Sequence, residues 1–244
     1  MAPGNIKEEA SILHSSIHTL LFDLDNTLYP KSCGLANQVS KRITEYMTTI
    51  INLPEDEVDK IRNLYYKTYG LTLKGLMLNY QVDIHHYLDY VHGGLDLKKH
   101  IGRDERLIEV LTSIRPNIKK LIFSNADLGH CQRVTKELGV DSFFSDTLEY
   151  LELMDYSKPH PVSYQMALKK AGTNDPSGVV FFDDVVENLE GAKKAGMITV
   201  LVGSTSDSPA VDYCIQEIHD LVNIFPSITG SSTATSFIAM EHTE

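Results

Sequence analysis

The stretch LLFDLDNTLY at residues 20–29 decides the fold of this chain. Its apolar start is typical of a buried parallel strand, and the run stops at acidic and small polar residues. Side chains alternate along a strand, so Asp23 and Asp25 are expected on the same side. Two carboxylates this close repel each other unless a cation or a shared proton lies between them. A plain strand-end turn is the alternative, because Asp-Asn-Thr is also common in turns and helix N-caps.

Further apolar runs predict that this strand belongs to a sheet. Residues 119–125 and 178–184 are apolar and end in polar side chains, and residues 140–145 and 199–202 are two more expected strands. Helical segments are predicted between them. This alternation favours a doubly wound, parallel α/β sheet. The predicted helices cover residues 130–138, 159–171 and 186–194.

Between the first and second strands the pattern is helical throughout. Apolar residues recur at helical spacing from about residue 35, Pro54 precedes the next predicted helix, and Gly70 ends it. We therefore expect an all-helical insertion at residues 33–111 between two core segments, 17–32 and 112–226. Residues 1–16 are predicted to be a flexible leader, and the Ser/Thr-rich residues 227–244 a flexible tail.

Composition restricts the partners and the compartment. The chain has 22 basic and 33 acidic residues, a formal charge of −11, which argues against binding a nucleic acid polymer. A small phosphorylated substrate stays possible, because a bound metal can reverse the local field. Three widely spaced cysteines favour a reducing compartment. We expect a cytoplasmic protein with no signal peptide and no membrane partner, because no apolar run reaches membrane-spanning length.

Three strand ends and one helix start carry polar residues that a parallel sheet would bring to one edge. Carboxylates can bind Mg²⁺ through oxygen, and a hydroxyl group and a lysine can hold phosphoryl oxygens. Any one of these residues has an ordinary structural explanation, such as a helix cap or a solvated charge. Together, in strand-end register, they predict a phosphoryl-transfer site. The set comprises Asp23, Asp25, Ser124, Asn125, Lys158, Asp183 and Asp184.

This set resembles the four motifs of the haloacid dehalogenase superfamily, in order and spacing, over about residues 18–205. The helical insertion resembles the C1-type cap of that family. Tyr29, residues 69–70 and the sequence FFDD at 181–184 further resemble the nucleotidase-like subgroup, which includes pyrimidine 5′-nucleotidases. Within the subgroup the chain looks most like a plant branch that contains a xanthosine 5′-monophosphate phosphatase.

The resemblance implies a role for each motif residue. Asp23 would attack phosphorus and become a transient aspartyl phosphate. Asp25 would protonate the leaving oxygen and then activate water. Ser124 would bind a phosphoryl oxygen, and Lys158 would balance charge. The implied Mg²⁺ ligands are Asp23, the main-chain carbonyl of Asp25, Asp184 directly and Asp183 through water.

The chain also departs from the subgroup pattern. Val185 and Glu187 stand where the subgroup often has Ser and Arg, although Asn188 is retained. The segment before Lys158 looks shorter and more acidic than expected, with three acids within residues 149–155. These departures concern secondary metal-site and substrate contacts and leave the nucleophile unaffected.

The same motifs bear on functions other than a phosphatase. A dehalogenase needs no acid two residues after its nucleophile, and a phosphoryl receiver domain has a different motif order and no cap. A phosphomutase shares the whole constellation and differs mainly in how its cap excludes water. A non-enzymatic phospho-ligand binding module would be expected to lack Asp23 or Asp25, and both are present.

Specificity is expected from the cap, because the core motifs contact only phosphate and metal. The resemblance implies an Mg²⁺-dependent phosphatase for a small phosphorylated metabolite, with a nucleoside 5′-monophosphate, xanthosine 5′-monophosphate first, as substrate. A pyrimidine 5′-nucleotidase and a sugar-phosphate phosphatase are the alternatives, and the oligomeric state is left open. Tyr65 and Tyr66 are expected to pack cap helices together. Expected substrate contacts are Ser124, Asn125 and Lys158 in the core, Tyr69, Lys74, Asn79 and Tyr80 in the cap, and Asp127 and His130 beyond the second strand.

Overall fold

A parallel sheet of six strands lies at the centre of the computed structural model, which describes residues 16–230. The strand order is β3-β2-β1-β4-β5-β6, so β1 lies in the middle of the sheet between β2 and β4. On β1, Leu21 lies opposite Leu121 of one neighbouring strand and Phe181 of the other. The predicted parallel α/β fold is confirmed. The strands are β1 (Thr19–Phe22), β2 (Lys119–Phe123), β3 (Asp146–Leu148), β4 (Val179–Asp183), β5 (Ile198–Val202) and β6 (Tyr213–Ile215).

Helices cover both faces of this sheet, which explains why its central strands are apolar throughout. Leu20 and Phe22 pack in a buried cluster on one face, and Leu21 packs in the cluster on the other. None of the helices between residues 16 and 230 is long and apolar enough to cross a membrane. The helices are α1 (Leu35–Thr49), α2 (Glu55–Tyr69), α3 (Thr72–Asn79), α4 (Ile84–Leu88), α5 (Glu105–Ser113), α6 (Leu128–Leu138), α7 (Tyr150–Leu153), α8 (Pro161–Ala171), α9 (Val186–Lys194) and α10 (Leu221–Ile224).

The insertion after β1 is helical, as predicted, and has a hydrophobic cluster of its own. That cluster includes Tyr46 of α1, Val58 of α2 and Val91 of the π-helical turn Asp89–Gly93. Buried residues after this turn, from Leu95 through α5, instead pack in a cluster on the sheet. The domain boundaries stay predictions, but this packing favours a cap that ends near residue 94 over one that ends at residue 111.

The strand predicted at residues 140–145 is wrong. Val140 is buried, but the next residues form the 3₁₀ turn Asp141–Phe143, and the strand itself is Asp146–Leu148. A short apolar run can belong to a buried strand or to a turn whose side chains pack into the core. The two have the same composition, so the run alone could not distinguish a strand from a turn. The edge strand Tyr213–Ile215 was not predicted, because three residues are too few to show a period.

Both predicted termini lie mostly outside the described residues, since the structure describes only residue 16 of the leader and residues 227–230 of the tail. Within that part of the tail, Ile228 is buried and its carbonyl accepts a hydrogen bond from the Arg115 amide. Thr229 forms an antiparallel bridge with Ile114. Packed structure therefore continues past the predicted start of the tail.

Candidate active site

The carboxyl ends of the central strands bring three acidic side chains together. Asp23 directly follows β1, and its amide donates to the Phe182 carbonyl of β4 at 2.9 Å. Asp183 ends β4, and Asp184 follows it. One ligand atom from each of the three carboxylates lies within 4.8 Å of the others. Such an arrangement needs positive charge to hold it together.

Lys158 supplies one of those charges. Its Nζ atom donates to Asp23 Oδ1, to Asp183 Oδ2 and to the Phe123 carbonyl, each at 2.8 Å. The side chain is only 1% exposed. Burial alone would lower the pKa of this ammonium group, but the charges of Asp183 and Asp23 raise it above its ordinary value. Lys158 is therefore a permanent cation that neutralises part of the acidic cluster.

Asp23 still has more negative charge around it than Lys158 compensates. Burial raises the pKa of its carboxyl group, Lys158 lowers it, and Asp183 and Asp184 raise it again, with a net upward shift. Thr27 donates from Oγ1 to Asp23 Oδ2 at 3.2 Å. Because a nucleophilic carboxylate must be ionised, the arrangement calls for a further cation beside Asp23.

The acidic pair at the end of β4 has two different environments. Asp183 accepts from the Val185 amide at 2.8 Å and from Nδ2 of Asn188 at 3.1 and 3.0 Å. Within residues 16–230, no hydrogen bond from another residue reaches the Asp184 carboxylate. Burial and the charge of Asp183 raise the pKa of Asp184 to about 6. Asp184 is thus the carboxylate with the most to gain from a bound cation.

The three carboxylates fit Mg²⁺, because this ion is bound through oxygen and an all-oxygen set is what they offer. The unused lone pairs of Asp184 and the charge surplus at Asp23 are the observations that support the fit.

Asp25 lies in a different environment from Asp23. Its Oδ1 atom accepts from Nε2 of His130 at 2.8 Å and from the Tyr29 hydroxyl. Burial would raise the pKa of Asp25, but the charge and hydrogen bond of His130 and the hydrogen bond of Tyr29 bring it below its ordinary value. The two aspartates of the opening stretch therefore differ in proton affinity in the metal-free protein: Asp23 favours its protonated form until a cation binds beside it, whereas His130 and Tyr29 favour the ionised form of Asp25.

The residues after β2 carry out local structural tasks. Ser124 is buried, and its Oγ accepts from the Ala126 amide at 3.0 Å. Asn125 bonds the backbone of Lys158 with both ends of its amide, since Nδ2 donates to the carbonyl and Oδ1 accepts from the amide, each at 2.9 Å. Asn125 therefore fixes the loop from which the catalytic lysine candidate projects.

Four of the residues expected to contact the substrate instead contact other groups of the protein. Lys74 donates to the Asp155 carbonyl at 2.9 Å, and Asn79 donates to the Gly75 carbonyl at 2.8 Å. The rings of Tyr69 and Tyr65 lie 6.0 Å apart. Tyr80 and Tyr65 both pack against the hydrophobic cluster of the cap. These contacts pack the cap or tie it to the core, so the structure gives them no separate connection to the acidic centre.

Asp127 and His130 both belong to the start of α6. Asp127 caps this helix by accepting from the His130 amide at 3.0 Å, and it also pairs with Nδ1 of His92. The His130 side chain has no exposed surface and bonds Asp25. The structure thus connects His130 to Asp25 and Asp127 to the two histidines, and it buries the His130 side chain completely.

Two residues near the centre were not among the expected site residues. The first is Tyr66 of α2, which is 56% exposed and whose hydroxyl group lies close enough to the acidic cluster to respond to its charge. Burial raises the pKa of this hydroxyl, and the charges of Asp184 and Asp183 raise it further. Tyr66 was expected to pack cap helices. The second is His92. Its position depends on how the last turn of the cap packs against the core, and a local sequence pattern does not predict that packing.

Known proteins share this organisation. Residues 17–196 match the haloacid dehalogenase-like hydrolases. “Phosphate metabolism protein 8” of Saccharomyces cerevisiae is 29% identical over 190 residues, which are 72% of this chain and 58% of that protein, so the match spans less than two thirds of that relative. “Pyrophosphatase PpaX” of Oceanobacillus iheyensis is 25% identical over 227 residues, 86% of this chain and 97% of that protein.

A solved structure supports the same fold. The haloacid dehalogenase-type phosphatase from Thermococcus onnurineus aligns with a TM-score of 0.63 at 16% identity, covering 88% of this chain and all of that one. At this identity the likeness concerns the fold alone. The family match, by contrast, covers most of the chain, including β1, β2, β4 and the acidic cluster. The chain therefore belongs to the haloacid dehalogenase-like hydrolases.

Proposed function

We propose that this hydrolase is an Mg²⁺-dependent phosphatase that hydrolyses a nucleoside 5′-monophosphate, with xanthosine 5′-monophosphate as the first candidate. Family membership and the acidic site together support phosphate ester hydrolysis. The observation that carries the proposal is the difference between Asp23, which faces Lys158 and the acidic pair, and Asp25, which faces His130 and Tyr29. A phosphatase of this type needs one carboxylate to attack and another to move protons.

In the first half of the reaction, Asp23 attacks phosphorus. A bond forms between a carboxylate oxygen and phosphorus, and the bond between phosphorus and the leaving oxygen breaks. Asp25 gives its proton to that oxygen, so the product leaves as an alcohol. The negative charge of a bound phosphate favours the protonated form of Asp25 and so opposes the pKa-lowering effect of His130.

In the second half, water replaces the nucleophile. Asp25, now a carboxylate, accepts a proton from the water molecule that attacks the aspartyl phosphate. The bond between Asp23 and phosphorus breaks, and inorganic phosphate leaves. Lys158 stays paired with Asp23 through both halves, because its three hydrogen bonds hold its Nζ atom against the nucleophile.

Asp23 and Asp184 are the direct protein ligands we propose for Mg²⁺, with Asp183 acting through water and the Asp25 carbonyl completing the set. Asp183 already accepts hydrogen bonds from Lys158, Val185 and Asn188, which favours an indirect role. When bound, Mg²⁺ neutralises the phosphate and the carboxylates that must approach it.

The choice of a nucleotide rests on the cap and on the resemblance to nucleotidases. Tyr66 offers an exposed aromatic ring with its hydroxyl end near the acidic centre, and a nucleobase can stack on such a ring. A helical cap that closes over the site would also exclude water and bring the leaving oxygen to Asp25. Base contacts made in the closed state lower the barrier and not only the Michaelis constant.

The test is a substrate panel with the purified full chain. Phosphate release would be measured with Mg²⁺ for xanthosine, guanosine, adenosine, uridine and cytidine 5′-monophosphates and for ribose 5-phosphate. We expect the highest kcat/KM for a purine nucleotide and a clear loss when the base is removed. Equal values for ribose 5-phosphate and nucleotides would contradict the nucleotidase proposal, and a preference for uridine or cytidine would favour the pyrimidine alternative.

Asp23→Asn is the variant that tests the mechanism. An amide of nearly the same size is a poor nucleophile, so we expect no phosphate release above the rate without enzyme, while the protein stays folded. Thermal unfolding checks the fold, because Lys158 keeps Asp183 and the Phe123 carbonyl as partners. Substantial turnover in this variant would contradict the role of Asp23.

A further inference from the structure

Two imidazole rings, one from the cap and one from the core, lie against each other beside Asp25. His92 belongs to the π-helical turn Asp89–Gly93, and His130 belongs to α6. Their ring centroids are 4.5 Å apart and their planes differ by 26°. We call these two residues the imidazole pair.

His130 is held firmly in this position. Its side chain has no exposed surface, and its amide donates to Asp127 Oδ1 at 3.0 Å. Nε2 lies 2.8 Å from Asp25 Oδ1, while Nδ1 has no hydrogen-bond partner among the described residues. The ring therefore has one polar contact in that part of the chain, the hydrogen bond to Asp25, and Nε2 is its donor.

His92 is held just as firmly, although it comes from the other domain. Its Nδ1 atom pairs with Asp127 Oδ2. Arg133 of α6 donates to the His92 carbonyl at 2.8 Å and to the Leu95 carbonyl at 2.7 Å. The last turn of the cap is thus tied to α6 through side chain and backbone together, and this fixes the His92 ring over His130.

We propose that the imidazole pair positions Asp25 for proton transfer: His130 orients the carboxyl group through its hydrogen bond, and His92 keeps the His130 ring in place by stacking on it. Both are positioning residues, and the inference rests on the proposed phosphatase mechanism. Asp25 lies beyond the end of β1, which is at Phe22, so the pairing of the strands does not fix its position. Contacts with neighbouring side chains must then set the orientation of its carboxyl group. Tyr29 bonds the same Oδ1 atom and limits its rotation further.

This proposal predicts that the rate lost when Asp25 is misplaced depends on the leaving group of the substrate. A phenolate is a strong base and needs protonation as it leaves, whereas 4-nitrophenolate leaves readily without it. A misplaced Asp25 therefore slows the transfer of phosphate from phenyl phosphate far more than from 4-nitrophenyl phosphate. The two esters have nearly the same shape, so binding contributes little to the difference.

The experiment measures the first step alone. Enzyme in excess over ester, with Mg²⁺, gives the single-turnover rate of phenol or 4-nitrophenol release, which precedes hydrolysis of the phosphoenzyme. The variants are His130→Leu, which removes the donor, His130→Gln, which keeps an N–H group near the position of Nε2, and His92→Leu. His219→Leu is the matched control, because His219 Nε2 pairs with Asp104 at 2.9 Å and forms no hydrogen bond with the imidazole pair or with Asp25.

For His130→Leu we expect a loss of about 100-fold with phenyl phosphate, within the range of general acid catalysis, and of less than about 5-fold with 4-nitrophenyl phosphate. His130→Gln should recover at least part of the phenyl phosphate rate. His92→Leu should show the same selectivity with a smaller loss. Substrate KM should change little, and His219→Leu should keep both rates.

Equal losses on the two esters in His130→Leu, or no loss on either, would overturn the role of His130. An unchanged phenyl phosphate rate in His92→Leu would overturn the role of His92. Activity of each variant on 4-nitrophenyl phosphate reports that it has folded, and thermal unfolding checks this independently. If the unmodified protein released phosphate from no ester, the proposed function itself would fail, and that outcome is distinct from both.

Discussion

Lys158 shows at the scale of a single residue how the acidic centre is held together. Its Nζ atom contacts two buried carboxylates and a main-chain carbonyl at the same distance, 2.8 Å. The aromatic rings of Phe123 and Phe181 lie 5.0 Å from Nζ and exclude water from it. In such surroundings an unpaired carboxylate is costly, so the lysine contributes to stability as well as to charge balance.

Lys158→Met tests this double role. We expect the variant to lose activity and to be less stable by about 3–5 kcal/mol, because two buried carboxylates lose their counter-ion. Urea unfolding measures the free energy. Lys193→Met is the control: Lys193 pairs with Asp212 but is 41% exposed, so its loss should cost about 1 kcal/mol or less. Equal effects of the two substitutions would contradict the assignment.

Asp184 gives a prediction about pH and metal. Its pKa in the folded protein is about 6, above the ordinary value of 3.8 for an aspartate, so the folded state binds more protons than the unfolded state between these pH values. The metal-free protein should therefore lose stability as pH rises from about 4 through 6. The contribution of Asp184 is at most about 3 kcal/mol, since one pKa unit corresponds to about 1.4 kcal/mol.

The measurement compares Asp184→Asn with the unmodified chain in chelator, from pH 4 to pH 8. The two should converge at pH 4, and the variant should be the more stable at pH 8. Added Mg²⁺ should then raise the unfolding temperature of the unmodified protein much more than that of the variant. Asp207→Asn, in an exposed loop, should behave like the unmodified chain. Equal Mg²⁺ stabilisation of Asp184→Asn would contradict the proposed ligand.

At the scale of elements, the sequence patterns located the longer helices and strands, in which the spacing of apolar residues is clear. The predicted helix at residues 186–194 has those bounds in the structure, and the strand ending in Asp183 differs from its prediction by one residue at each end. Helix α6 ends where Gly139 takes a left-handed conformation, with φ of 76°, as its glycine indicated. The edge strands β3 and β6 have three residues each, and too few residues show the alternation that identifies a strand.

Helices α2 and α3 approach each other closely enough to require a glycine. A Cβ atom on Gly75 would lie 2.2 Å from Cγ of Tyr65, an atom at the rigid base of the ring. Alanine is a better helix former by about 1 kcal/mol, but overpacking costs about 1–3 kcal/mol. Because the added methyl group would also lie 2.5 Å from Cβ of Tyr65, rotating the ring alone does not relieve the overlap, and we expect the steric term to exceed the gain.

Gly75→Ala should therefore destabilise the protein in urea unfolding and lower the unfolding temperature. Gly102→Ala is the matched control, since a Cβ atom on Gly102 would meet nothing within 4 Å. That substitution should be neutral or slightly stabilising, because it restricts the unfolded chain. A Gly75→Ala variant as stable as the Gly102→Ala variant would show that the two helices can separate without cost.

At the scale of the whole molecule, the part of the site that could be predicted is the part that the sheet assembles. Parallel strands present their carboxyl ends at one edge, so Asp23, Asp183 and Lys158 could be expected together from sequence alone. The contacts that depend on the docking of cap and core could not. His92 stacks on His130 across 38 positions of sequence, and Tyr66 faces acids of the other domain, although both lie in segments whose local pattern describes only a helix.

Tyr66 provides the prediction that depends on this docking. If its ring stacks on the base of a nucleotide, Tyr66→Ala should lower kcat/KM for the best nucleotide of the panel by about 5-fold or more, since base stacking is worth about 1–3 kcal/mol. Tyr66→Phe keeps the ring and should keep most of the activity. Ribose 5-phosphate, which has no base, should be hydrolysed equally by all three proteins.

The comparison separates a contact with the base from an effect on the metal centre. A hydroxyl that acted only on the acids would make Tyr66→Phe as defective as Tyr66→Ala, and the loss would appear with ribose 5-phosphate too. Leu64→Ala, at another exposed position of α2, controls for a general change in the helix and should keep the nucleotide rate. Because Tyr66 lies on the cap and the acids lie on the core, a loss confined to nucleotides would mean that the two domains form one binding site during turnover.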